Sequence, residues 1–122
     1  MTSKVAIAVA VLAVALLVPA AADARKAVTS ADAFAAAQRV ANQSAGALER
    51  LTHGAAKFDR SRTSVGNYLQ YGKFRKGASF ALFGTNTVNG EVHRLWCVGN
   101  IEVVAAKNGS SRVAAHLTCP VS

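Results

Sequence analysis

Acid is scarce in this sequence: six Asp and Glu stand against 14 Lys and Arg, a formal net charge of +8. Beyond the first 24 residues the acids are Asp32, Glu49, Asp59, Glu91 and Glu102. Two of these fall on one expected helix, which argues against a hydrolase built on a pair of facing carboxylates. Cysteine is equally sparse. Cys97 and Cys119 are the only two, too few and too far apart for a metal pair or a redox centre. The histidines, His53, His93 and His116, have no metal-ligand spacing. No Gly-x-Ser-x-Gly nucleophile turn and no glycine-rich phosphate cradle occurs. The expectation is a protein that is not an enzyme and carries no cofactor and no metal.

A long apolar run is also lacking. Val5 to Val18 is apolar throughout, yet as a helix it would span only about 21 Å, short of a hydrocarbon core of ~30 Å. Lys4 precedes it, and Pro19 and a stretch of small residues ending in Ala22-Asp23-Ala24 follow. A positive start, a short apolar centre and an A-x-A site are the parts of a cleavable export signal. Cleavage is expected after Ala24, with Ala22 as the alternative. Residues 1–24 are thus read as a signal peptide and 25–122 as a single domain, secreted to the extracellular space or periplasm, with no transmembrane span after cleavage. The cut would take one cation, Lys4, and one acid, Asp23, so the charge of +8 would be unchanged. Two cysteines in an exported chain point to one disulfide, Cys97–Cys119, and closing that loop contributes about 3 kcal/mol.

Within 25–122, residues 25–28 read as a short basic leading segment, and from Ser30 a single helix of roughly 24 residues follows. Ser30 is a candidate cap and Asp32 lies in the first turn. Apolar residues recur at Phe34, Ala37, Ala41, Ala45, Leu48, Leu51 and Ala55, one stripe at helical spacing. Alanine dominates that stripe, so the helix should lie close against a sheet, and Gly54 is a plausible stop. Residues 57–63 read as a charged connector. β-Branched and aromatic residues then prevail, with strands expected at Thr63–Phe74, Ala78–Val88, Glu91–Ala106 and Ser111–Cys119. Asn89-Gly90 and Asn108-Gly109 fall between them. Asn-Gly between apolar runs is a strong hairpin signal because both residues tolerate positive φ. The expected fold class is α+β: one N-terminal helix packed on a four-stranded antiparallel meander.

Turn geometry fixes expected partners. A two-residue turn at Asn89-Gly90 sets Phe83 opposite Trp96 and Thr85 opposite Arg94, with Trp96 expected to pack within the sheet rather than serve as a binding platform. At Asn108-Gly109 a two-residue turn would leave Cys97 and Cys119 one residue out of step, on opposite faces. A three-residue loop with Gly109 left-handed would bring them opposite each other, pairing Ala106 with Ser110. A bulge at Gly99-Asn100 would do the same.

The segment Trp96-Cys97-Val98-Gly99-Asn100-Ile101-Glu102-Val103, followed after a turn by His116-Leu117-Thr118-Cys119, resembles the last hairpin of secreted cystatins. In that family an aromatic-Cys strand and a terminal-Cys strand share a disulfide with similar loop length. Helix first, strands afterwards and export also fit. The resemblance covers the element order of the domain and specific residues in its last quarter. It implies a roll wrapped on the helix and, as the specific activity, inhibition of a cysteine protease through hairpin loops. The family's Gln-x-Val-x-Gly loop is not matched: the corresponding residues are Lys73-Phe74-Arg75-Lys76-Gly77, where only the glycine agrees. The second loop reads Lys107-Asn108-Gly109-Ser110-Ser111 in place of the family's frequent Pro-Trp.

Charge concentrates between Lys57 and Lys76. Lys57, Arg60, Arg62, Lys73, Arg75 and Lys76 lie there against Asp59 alone, with Tyr68, Tyr71 and Phe74 interleaved. Cations among aromatics suit anionic polymers; as a plain alternative, edge cations keep a sheet from aggregating. Two functions follow as expectations. One is a secreted binding protein that engages a protein partner, a protease in the specific version, through Lys73, Phe74, Arg75, Lys76 and Gly77 with Asn108 and Gly109. The other is a basic protein that binds an anionic polymer or surface, such as glycan, cell wall or nucleic acid. An exported effector or toxin is a third reading that the sequence does not separate from these. Asn42 and Asn108 head glycosylation triplets should the source be eukaryotic.

Overall fold

The computed structural model describes residues 5–14 and 25–121. The elements run β1 (Val5–Val14), α1 (Ser30–Leu51), β2 (Ala56–Phe58), a short 3₁₀ turn (Arg60–Arg62), β3 (Ser64–Gly72), β4 (Arg75–Val88), β5 (Glu91–Ala105) and β6 (Ser111–Val121). The helix packs on one face of an antiparallel sheet, the α+β arrangement that the sequence predicts. The sheet order is β1-β6-β5-β4-β2, and β3 shares β4 with β2. Two strands were not anticipated. The connector at 57–63 contributes Lys57 and Phe58 to β2, which lies against Gly84–Asn86. Val5–Val14, read as the centre of a leader, runs as an edge strand antiparallel to β6. The expected cleavage site at Ala22-Asp23-Ala24 and the charged start at Lys4 lie outside the described residues.

Helix α1 begins one residue earlier than the sequence suggests. Thr29, not Ser30, is the cap: its hydroxyl accepts from the Asp32 N–H at 3.1 Å, and the Asp32 carboxylate accepts from the Thr29 N–H at 3.0 Å. Such a reciprocal box satisfies two N–H groups that the helix start leaves unpaired. The buried stripe is Ala33, Ala36, Ala37, Val40, Ala41, Ser44, Ala45 and Leu48. Phe34 and Leu51, placed in the stripe from spacing, are exposed, Leu51 to 71%. Phe34 instead meets the Tyr68 ring of β3 at 5.9 Å between centroids. The stripe lies slightly rotated because alanines, with their small side chains, bring the helix closest to the sheet. His53 (φ 53°) and Gly54 (φ 83°) then turn the chain away after the cap at Thr52.

The hairpins follow their turns. Asn89 and Gly90 both have positive φ, 51° and 79°, and Phe83 pairs with Trp96 and Thr85 with Arg94. In the last hairpin the Ala106 N–H donates to the Ser110 carbonyl at 2.8 Å and Gly109 has φ 84°. This is the three-residue loop; the alternative bulge at Gly99-Asn100 is absent, since β5 pairs with β6 without a shift there, Gly99 with Leu117 and Asn100 with His116. Cys97 and Cys119 are bonded across β5 and β6, with Cα atoms 4.1 Å apart, and both are fully buried beside Leu82 and Leu117. No helix among the described residues is long and apolar enough to cross a membrane.

Candidate functional site

The helix covers one face of the sheet, so side chains reach a partner at the strand ends and on the opposite face. At one end three segments converge. The Val28 N–H donates to the Lys73 carbonyl at 2.9 Å, and the Ala105 N–H donates to the Phe74 carbonyl at 2.9 Å. Residues 25–28, the β3–β4 turn and the β5–β6 loop are thereby tied side by side.

Cations gather on aromatic rings there. The Arg25 guanidinium stands 4.4 Å from the Phe74 centroid, and the Lys73 ammonium is 5.5 Å from the same ring. Arg75 lies 4.8 Å over Tyr71 while its Nε and Nη2 donate to the Glu102 carboxylate at 2.5 and 3.0 Å. That bond holds the Arg75 guanidinium above its ordinary pKa and fixes its plane. Lys26, Lys73 and Lys107 are exposed and form no salt bridge among the described residues. Lys26 also borders a hollow of about 280 Å³ with Asp32, Arg39, Gly109 and Ser110. The end offers donors, positive charge and ring faces, which suits anionic oxygens. Among the described residues no cluster of His, Cys, Asp and Glu is placed to hold a metal ion.

The residues expected from sequence divide into three groups. Lys73, Phe74 and Arg75 stand at this end as anticipated. Lys76 does not: it is 5% exposed, and its ammonium donates inward to the Gly72 carbonyl. Strand alternation from Arg75 forces this reversal. Gly77 is likewise buried within β4, under the Tyr71 ring. Asn108 and Gly109 lie at the same end but shape their loop. The Asn108 Oδ1 accepts from the Ser110 N–H and hydroxyl, and Gly109 supplies the left-handed residue. Sequence reasoning missed Arg25 and Lys26, set aside as a leading segment; the signal available was their charge alone.

A second exposed surface lies on the uncovered face. Trp96 is 47% exposed, beside Phe83 across the β4–β5 pairing, so it is not the packed residue expected. Arg62 lies 4.9 Å over Phe83, and Arg94 is on the same face. A shallow depression along Asn67, Ser79 and Asn100 continues toward Tyr71 and His116. Compared with known proteins, the chain matches no family model, no curated protein and no solved structure.

Proposed function

We propose that the protein is an exported, non-enzymatic binding protein whose basic end holds an anionic polymer or acidic surface. One observation carries the reading: residues 25–28, 72–75 and 105–110 are tied together, the Lys73 ammonium stands 5.5 Å from the Phe74 ring, and exposed Lys26, Lys73 and Lys107 form no salt bridge among the described residues. The Cys97–Cys119 bond supports the oxidising compartment, since such bonds persist outside the reducing cytosol. Heparin-agarose chromatography of the exported product tests it. Retention should fall with salt, because displacing counterions drives such binding. The Lys73→Ala, Lys107→Ala double variant should elute at clearly lower salt and lower the log–log salt slope by about two. Retention unchanged by the pair would overturn the assignment.

A cystatin-like inhibitor is a second reading, favoured by the same convergence, since the two loops that the resemblance points to stand side by side. Against it, Gly77, the one residue matching the family's inhibitory motif, is buried in β4. Absence of papain inhibition at high micromolar protein would remove this version and leave the first intact.

A further inference from the structure

We infer that the outer edge of β6 is a strand-pairing surface that joins two copies of this chain once the leader is removed; this rests on the export reading above. The direction of the free backbone groups follows from two bonds. The Ala105 N–H donates to Phe74 on the β4 side, and the Ala106 N–H donates to Ser110 on the β6 side. Backbone groups alternate along a strand. Odd-numbered β5 residues therefore bond to β4, and even-numbered β5 residues bond to even-numbered β6 residues. The N–H and C=O groups of Val113, Ala115, Leu117 and Cys119 then point away from β5, along the edge. In the full chain β1 occupies that edge, pairing from Val5↔Val121 to Val14↔Arg112 without a break. Loss of residues 1–24 strips this cover and leaves the edge open.

The two sides of the sheet treat their edges differently. On the β4 side β2 is three residues long, and β3 shifts register between Gly66 and Leu69 and again between Gln70 and Gly72. Short and bulged edges resist further pairing. Strand β6 has neither device. It runs unbroken over Ser111–Val121 with one arginine and no lysine. Its proline does not guard the edge, because Pro120 is even-numbered and its missing N–H faces β5. The ladder to β5 is interrupted there, between Leu95↔Val121 and Val98↔Thr118.

A second β6 fits this edge. Antiparallel pairing about a two-fold axis is self-complementary and closes after two chains. Centred on His116, which meets its own copy at the axis, it sets Ala114 opposite Thr118 and Arg112 opposite Pro120, so no Lys or Arg meets its like. The blunted β2 and β3 edge gives no site for continued growth.

The test expresses the full chain in an exporting host. Intact mass reports whether residues 1–24 are gone, and sedimentation velocity over a concentration series gives the assembly state. A processed chain that dimerises reversibly is expected, with amide exchange at Val113, Ala115 and Leu117 slowing as dimer forms. The Ala114→Lys, Thr118→Lys variant sets lysine opposite lysine and should weaken the dimer roughly tenfold or more. Ala115→Pro, which removes an outward N–H and no bond to β5, should act in the same direction. A processed chain that stays monomeric, forms open-ended polymers, or dimerises without regard to these substitutions overturns the edge assignment. A purified chain that keeps its leader overturns it as well, and the mass measurement shows that the export reading is then what failed.

Discussion

Gly84 sits where β2 crosses β4 most closely. A Cβ built there would collide with the backbone carbonyl of Lys57, so no side chain fits unless β2 moves. The obstacle is backbone, which has few ways to yield, and β2 pairs only through Ala56, Lys57 and Phe58. Gly84→Ala should therefore cost about 2 kcal/mol, in the range of overpacked interiors, and free Phe58 from the core. Urea unfolding measures the cost, and hydrogen exchange of the β2 amides reports the detachment; an unchanged midpoint would mean the strand does not lie there. Lys76 teaches the converse lesson at the same scale. Its charge invites assignment to the basic end, yet its position one residue after exposed Arg75 turns it inward, where its ammonium donates a hydrogen bond to the Gly72 carbonyl.

Among the elements, the join between α1 and β2 depends on Glu49. Its carboxylate accepts from the Phe58 N–H at 2.9 Å and from the Arg60 guanidinium at 2.7 and 3.2 Å. The Arg60 bond chiefly, and the Phe58 N–H next, hold Glu49 below its ordinary pKa. A depressed carboxylate contributes stability above its unfolded value, about 4.3, and loses it as pH falls through the lower folded value. Arg60 is well exposed, so solvent screens the pair and the contribution is about 1 kcal/mol at most. Glu49→Gln should lower stability by that amount at pH 7 and match the parent below the carboxylate range; a deficit that persists undiminished at pH 2 would contradict this account. The same scale shows what the sequence made legible. Asn-Gly turns pin both later hairpins because their φ requirement is local, and the disulfide picks the loop length at Gly109. Strand β2 was illegible because Lys57 and Arg60 dominate the composition of its short stretch, while its pairing depends on a distant glycine. The basic end was half legible: Lys73 and Arg75 are adjacent in sequence, but Arg25 and Lys107 join them only through the sheet.

At the scale of the whole molecule, the basic end and the uncovered face are two candidate surfaces, and the single tryptophan of the chain can tell them apart. Trp96 lies opposite Phe83, eight strand positions from Arg75, about 26 Å from the basic end at ~3.3 Å per residue. It stands on the uncovered face, half exposed. A polymer held by Lys26, Lys73 and Lys107 would leave that indole in water, whereas one laid across the uncovered face would stack on it, as aromatic platforms do for single strands. Acrylamide quenching of Trp96 should therefore be strong in the free protein and unchanged when a short heparin oligosaccharide saturates the chain. Chain length matters here, because a polymer longer than the distance between the regions could shield both. Protection of Trp96 by the short oligosaccharide would move the site from the basic end to the face carrying Phe83, Arg62 and Arg94.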